Sequence, residues 1–241
     1  MTLDSLALTV AVAVGLILMI GVAAWWLLIA TEGVYLGRRI VIGLYDLYAP
    51  RYDAIKNYQP QWEASALAVP LLEKLADVRA PLVLDVATGT ARLPLTLFAQ
   101  PEFDGKIIAL DASLRMLKVG AEKVRAVARP DCYLFIHQNA EQLPFATHTF
   151  DCVTFLEALE FVSDSRAALR ECVRVLKPGG VLLVTRRRRF ALMPGRVPSA
   201  RRMFAKLTAL GLTDLKEVMW QVDYEQVWAR KPLRAAFPDR V

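Results

Sequence analysis

Hydrophobic and polar positions fall into three regimes along the chain. Positions 6–30 carry no charged residue at all. Positions 61–78 place Leu67, Leu71, Leu72 and Leu75 at helical spacing, which predicts an amphipathic helix. From Pro81 onward, short apolar runs alternate with amphipathic stretches. The runs predict strands over 82–86, 106–111, 133–137, 151–155, 181–185, 217–220 and 225–229, and the stretches predict helices over 91–99, 114–128, 165–176 and 199–210. Strand–helix alternation of this period predicts an α/β, doubly wound, mostly parallel seven-stranded sheet. Too few residues separate the last two strands for a crossover helix, so these two are expected to pair antiparallel. Three segments follow: an anchor at 1–30, a juxtamembrane and site-covering segment at 31–60, and the α/β domain at 61–241.

The first regime is long enough to be a transmembrane helix. Its 25 residues span roughly 37 Å as a helix, against a hydrocarbon layer of about 30 Å. Thirteen are Leu, Ile or Val, and at about −0.3 to −0.6 kcal/mol each their sum favours insertion by at most ~4–8 kcal/mol. A cleaved signal peptide is the rival reading. It would have a positive n-region and an apolar core of roughly 7–15 residues, whereas here Asp4 is the only charged side chain before a much longer run. Trp25 and Trp26 lie near the end of the run, where interfacial aromatics concentrate. Arg38, Arg39, Arg51 and Lys56 follow it and no Lys or Arg precedes it. The positive-inside rule therefore predicts a single-pass membrane protein with its large domain in the cytoplasm.

Composition changes this picture in two places. The net charge of +6 is not spread evenly: from Arg186 onward there are 13 Lys+Arg against 5 Asp+Glu, a net of +8, leaving −2 for residues 1–185. Beside a membrane anchor, the run Arg186, Arg187, Arg188, Arg189 is expected to meet anionic lipid headgroups, whereas nucleic acid is disfavoured because only Phe190 offers a stacking ring there. Cys132, Cys152 and Cys172 stand 20 residues apart without a CxxC pair, and only His137 and His148 could join them. That spacing fits neither a zinc set nor a disulfide framework, so no metal is expected.

Two strand ends carry the chemistry. The first strand runs through VLDVATGTARL (83–93), where small side chains at the turn allow a ligand to approach the backbone and the following helix directs N–H groups at it. The second ends at Asp111, 22 residues beyond Gly89, the spacing at which a carboxylate on a neighbouring strand accepts the hydroxyls of a ribose. Together they point to a nucleoside-containing cofactor. A dinucleotide-dependent oxidoreductase shares both features, but the loop lacks GxGxxG.

The motif DVATGTA (85–91) resembles the first motif of class I S-adenosylmethionine-dependent methyltransferases, of the ubiquinone/menaquinone-biosynthesis type. YAPRYDAIK (48–56), LDASLRML (110–117), NAEQLPFATHTFDCVT (139–154) and RVLKPGGVLLV (174–184) resemble four further motifs of that group in the same order, so the resemblance covers roughly 45–186. It implies a Rossmann-like methyltransferase fold and S-adenosylmethionine as cofactor. Asp85 would orient the first loop near the methionine amino group, with Ala87 and Gly89 lining the cofactor backbone. Asp111 would hold the ribose, Ser113 and Met116 would flank the adenosine, Asn139 and Ala140 would recognise the adenine edge, and Tyr52 would help close the site.

The chain departs from the pattern at Ala91, where a glycine is usual, and at Asn139, where an aspartate is common. A methyl at Ala91 costs little if that position is already helical, and an Asn carbonyl still accepts from an exocyclic amine. Glu157 and Glu160 follow the fourth strand, whose end borders the crevice in such sheets, so they are the candidates for a catalytic base. His137 and His148 are expected to be structural. Two functions remain open: a methyltransferase acting at the membrane on a lipophilic small molecule or lipid, through a quinone-type ring or a headgroup amine, or a membrane-tethered, non-catalytic assembly factor.

Overall fold

The computed structural model describes residues 3–188 and 193–233. Helix α1 (Leu3–Trp25) continues through a π-helical turn, Trp26–Ala30. The segment Ala7–Ala30 is long and apolar enough to cross a membrane, with a mean hydropathy of 2.6 and no part of its most apolar window buried against the rest of the chain. After a tight connection come α2 (Arg38–Tyr48), α3 (Tyr52–Lys56), α4 (Pro60–Glu63) and α5 (Val69–Lys74), the last two joined by a π-helical stretch, Ala64–Ala68. The helix expected over 61–78 therefore ends early. Leu67 and Leu71 are nonetheless fully buried on the sheet, as their spacing requires.

The α/β domain comprises β1 (Leu82–Val86), α6 (Arg92–Phe98), β2 (Lys106–Asp111), α7 (Leu114–Arg125), β3 (Tyr133–His137), β4 (Phe150–Phe155), α8 (Ser165–Val175), β5 (Leu176–Arg187), α9 (Ala200–Ala209), β6 (Thr213–Met219) and β7 (Tyr224–Arg230). These strands form one seven-stranded sheet in the order β3-β2-β1-β4-β5-β7-β6. The first five are parallel, and β7 lies antiparallel between β5 and β6. Because β1 and β4 are neighbours, the crossovers diverge there, which opens a crevice at their carboxyl ends. The central strands are buried on both faces. Leu84, Val86, Val153, Phe155, Leu182 and Val184 face one layer, while Val83, Cys152, Val181 and Leu183 face the other with Leu67, Leu71, Leu93 and Leu97.

Local chemistry accounts for the boundaries. Asp164 caps α8 by accepting from the N–H groups of Arg166 and Ala167, and Ser113 and Ser199 cap α7 and α9. The LKPGG segment forms an irregular start to β5, because the register slips between Leu176 opposite Phe150 and Val181 opposite Cys152. Gly179 there has φ +80°, and a Cβ on Gly180 would lie 2.7 Å from the Leu176 side chain and 2.9 Å from the Lys177 carbonyl. Ala91 is not helical. It precedes α6 in the left-handed region at φ +67°, so its methyl costs about 1–2 kcal/mol rather than little.

Candidate active site

The crevice is built on the tips of β1 and β2. Asp111, at the end of β2, accepts the Gly89 N–H at Oδ2 and the Ser113 N–H at Oδ1, both at 2.8 Å. Thr88 N–H also donates to the Leu110 carbonyl at 3.0 Å, so the two tips are stitched together. Burial pushes the Asp111 carboxyl up from its ordinary range, and the Ser113 and Gly89 amides hold it partly down. Each oxygen retains lone-pair capacity for a second donor. The β1 loop alternates left-handed residues, with Ala87 at φ 53°, Gly89 at φ 57° and Ala91 at φ 67°. This path brings backbone, not side chains, to the cavity wall. A Cβ on Gly89 would project to 3.8 Å from the Tyr52 ring, into the space between them.

Asp85 lies at the floor, 3% exposed. It accepts Thr88 Oγ1 at 2.6 Å and Thr154 Oγ1 at 2.7 Å. Burial pushes its carboxyl up to about 6, against the lowering effect of those two hydroxyls.

Two adjoining cavities open here. The larger, about 730 Å³ including its mouth, is walled on one side by Asp111, Ala112, Ser113, Asn139 and Ala140, and on the other by apolar and aromatic groups from α2 and the β4 loop, including Val41, Tyr45 and Phe161. The smaller, about 510 Å³, is lined by Asp85, Thr88, Gly89, Lys56 and Arg92 among others. Tyr52, Ala87, Gly89, Leu156 and Glu157 border both. The Asn139 carboxamide has no hydrogen-bond partner among the described residues and is free to meet a ligand edge; its backbone is engaged, the N–H donating to Gln138 Oε1 at 2.8 Å and the carbonyl accepting the Gln142 N–H at 3.4 Å.

Three expectations are corrected by this geometry. Met116 does not flank the cavity: it is wholly buried in the domain interior while its N–H donates to Ser113 Oγ. Glu160 does not reach the cavity either. It faces inward, accepting the Tyr224 hydroxyl at 2.6 Å with Arg187 at 3.8 Å, and burial raises its pKa. The run Arg186–Arg188 is not a free cationic surface. Arg186 is ion-paired to Glu217 at 2.7 Å and to Glu225. Arg187 lies between Glu32 and Glu160 at 3.7 and 3.8 Å, and Arg188 is 3.5 Å from Glu225. Strand pairing places Arg186 opposite Glu225 of β7, and Glu217 of β6 with Glu32 and Glu160 from outside the sheet meets the rest, so the charge is met within the protein. Arg189 lies outside the described residues.

Glu157 does reach the cavity, at φ +50°, a conformation costly for a side chain of this size. It accepts Lys56 Nζ at 2.9 Å, Arg92 Nη1 at 2.5 Å and Gln221 Nε2 at 2.9 Å, while its own N–H donates to Thr185 Oγ1. Burial works to raise its pKa, but Lys56 and Arg92 outweigh that and hold the carboxyl below its ordinary range. Glu157 is therefore a fixed anion anchoring two cations. Arg92 is also paired with buried Glu63 and stacks over the Trp220 ring at 4.7 Å.

Two contributors to the site, Asp53 within the YAPRYDAIK motif and Asp46 before it, have roles that the sequence does not display. Asp53 accepts Thr90 Oγ1 at 2.5 Å and Lys123 Nζ at 2.6 Å, which fastens α3 to the β1 loop and sets Tyr52 in the cavity wall. Asp46 of α2 accepts Ser113 Oγ at 2.6 Å and the Arg115 N–H at 3.2 Å. Their value is long-range, across 37 to 70 positions, and residue spacing does not report such contacts.

The sheet order and the joined tips of β1 and β2 define a Rossmann-like α/β domain of the class I methyltransferase type. The joined cavities carry a carboxylate, Asp111, at the β2 tip, an open carboxamide, Asn139, beyond it, and Lys56 with Arg92 at the far end. The chain belongs to the ubiE/COQ5 methyltransferase family, whose sequence model matches residues 60–221. Over 106 residues it is 42% identical to the ubiquinone/menaquinone biosynthesis C-methyltransferase UbiE of Klebsiella pneumoniae subsp. pneumoniae and to that of Cronobacter sakazakii. The match spans 44% of this chain and 42% of each of those proteins, less than half their length. At the level of fold, the chain is similar to the [4+2]-cyclase SpnF, with a TM-score of 0.68, 21% identity, and 82% and 97% of the two chains covered. It is also similar to an S-adenosylmethionine-dependent methyltransferase from Aquifex aeolicus, with a TM-score of 0.54, 22% identity, and 72% and 98% covered.

Proposed function

We propose that this protein is an S-adenosylmethionine-dependent C-methyltransferase that acts at a membrane on a lipophilic acceptor with a quinone-type ring. The observation that carries the reading is the shared cavity. A ribose-type acid and a backbone-lined turn stand on one side, and an apolar wall of Val41, Ile42, Tyr45, Phe161 and Val162 stands on the other. Membership of the ubiE/COQ5 family supports the reaction class. The apolar segment Ala7–Ala30 supports membrane attachment, single-pass with the domain in the cytoplasm by the distribution of flanking arginines.

Asp111 would accept the ribose hydroxyls, Ala87 and Gly89 would line the cofactor, Ser113 would border the adenosine, and Asn139 with Ala140 would meet the adenine edge. Asp85 would fix the loop near the methionine amino group. Lys56 and Arg92, preset by Glu157, would receive the methionine carboxylate. The cofactor, when bound, supplies an electrophilic methyl on a sulfonium. Residues of the β1 and β2 tips would hold that group beside the apolar wall, and Tyr52 with α2 would exclude water from it. Glu157 serves as the anion that holds the cation pair. It is a poor proton acceptor, because taking up a proton would leave Lys56 and Arg92 uncompensated.

A lipid-extract assay with methyl-labelled cofactor tests the reading: label is expected in a ring-bearing lipid of the extract. Label in a headgroup amine would redirect the acceptor class. Cofactor binding by titration without any transfer would favour a non-catalytic assembly role.

A further inference from the structure

We propose that α2 lies along the membrane surface, its outer apolar stripe seated at the headgroup–acyl boundary of a phospholipid bilayer while its inner face walls the cavity. The inference rests on the membrane reading of α1 given above. An amphipathic helix on a water-facing domain has one apolar face and one polar face. Helix α2 has two apolar faces. Arg38, Val41, Ile42 and Tyr45 line the cavity. At about 100° per residue, Ile40, Gly43 and Leu47 fall on the opposite side, and Leu36 extends that stripe into the preceding turn. Ile40 is 42% exposed, Leu36 44% and Leu47 66%, and nothing lies within 4 Å of a Cβ built on Gly43. Ile55 of α3, 60% exposed, adds to the apolar surface that follows in the chain.

Three observations select a bilayer as the occupant. The membrane-long apolar segment ends at Ala30, and six residues can carry Leu36 no more than about 20 Å from it. That connection is not slack. Gly33 N–H donates to the Leu27 carbonyl at 2.9 Å, Trp26 stacks on Tyr35 at 5.1 Å, and the Tyr35 hydroxyl donates to the Pro194 carbonyl at 2.7 Å. Finally, Arg39 and Arg51, off the cavity-lining face, are exposed and have no ion-pair partner among the described residues, which suits anionic headgroups. With α2 so placed, an acceptor dissolved in the bilayer reaches the cavity past the edge of its own wall and need not cross water.

The test uses the full chain reconstituted in vesicles of phosphatidylcholine and phosphatidylglycerol. Because Cys132, Cys152 and Cys172 are buried, a single introduced cysteine can be labelled with an environment-sensitive fluorophore. Leu47→Cys and, independently, Ile40→Cys probe the stripe. Val127→Cys, 60% exposed beyond the far end of α7, is the reference. Stripe probes should be quenched by doxyl-labelled phosphatidylcholine and should have an iodide quenching constant at least fivefold below that of the Val127 probe. Iodide quenching of both stripe probes equal to the reference, in protein that resists a carbonate wash, would overturn the placement of α2 and leave the anchor standing. Shielding from iodide without doxyl quenching would mean that protein covers the stripe, and would also overturn it. Release of the protein by carbonate would instead remove the membrane reading on which the proposal rests.

Discussion

Replacing Asp111 tests the cofactor assignment by removing one group with two jobs. Its oxygens each accept one backbone N–H, from Gly89 and Ser113, at 2.8 Å, and each has capacity for one ribose hydroxyl. In Asp111→Ala both bonds proposed to the ribose would vanish, a loss of at least about 1.5–3 kcal/mol, the worth of one charge-assisted bond. S-adenosylmethionine affinity should fall at least about 10- to 150-fold. Asp111→Asn retains one accepting oxygen but no charge, so its loss should be smaller, about 1 kcal/mol or roughly fivefold. The assay is isothermal titration of the full chain in detergent micelles, with Asp104→Ala, on the exposed connection before β2, as the comparison. Near-ultraviolet circular dichroism establishes that each variant is folded. Unchanged affinity in folded Asp111→Ala would refute the ribose assignment.

Three further outcomes follow from the geometry. Asp85 has a folded-state pKa of about 6 against an ordinary 3.8, so the fold favours its protonated form and that contribution is lost as pH rises through about 6. Denaturant titrations should therefore show the native chain gaining about 1 kcal/mol relative to Asp85→Asn between pH 7.5 and pH 5.0, and equal pH slopes would contradict the buried-carboxylate account. In Gly120→Ala the new methyl would stand 3.0 Å from the Ala91 Cβ and from the Thr90 carbonyl carbon. Urea unfolding should show a loss of about 1–3 kcal/mol, with weaker cofactor binding because the displaced loop carries Gly89. Arg186→Ala leaves Glu217 and Glu225 without their shared partner. It should lower stability by about 1–3 kcal/mol while leaving vesicle association unchanged, and a selective loss of lipid binding would restore the surface role that the ion pairs argue against.

The sequence was most informative where a residue's role is set by its near neighbours in the chain. Alternation of short apolar runs located every strand, with β4 and β7 one or two residues longer, β5 extended from 181–185 to Leu176–Arg187, and β6 shifted toward Thr213. The Gly89–Asp111 pairing was legible because a parallel strand–helix–strand unit brings both tips to one edge, and they are joined by a hydrogen bond. Other features depend on contacts that spacing does not encode. Met116 fits a motif, but helical phase turns it into the domain interior. Glu160 follows a strand end like Glu157, yet the turn after β4 faces it inward, to Tyr224 in place of the cavity. The arginine run reads as a basic surface until antiparallel pairing sets Arg186 opposite Glu225 and Arg187 opposite Tyr224. Ala91 shows the same limit in the backbone, since a substitution that reads as benign in a helix sits in a left-handed cap.

The most direct test of the central claim is transfer itself. The full chain, reconstituted in bilayers containing a lipid extract, would be incubated with S-adenosylmethionine labelled at the methyl carbon, and the lipids analysed by mass spectrometry. The account predicts one labelled methyl bonded to carbon in a ring-bearing lipid, dependent on the protein and abolished or strongly reduced in Asp111→Ala. Label on no lipid, from protein that titration shows to bind the cofactor, would contradict it.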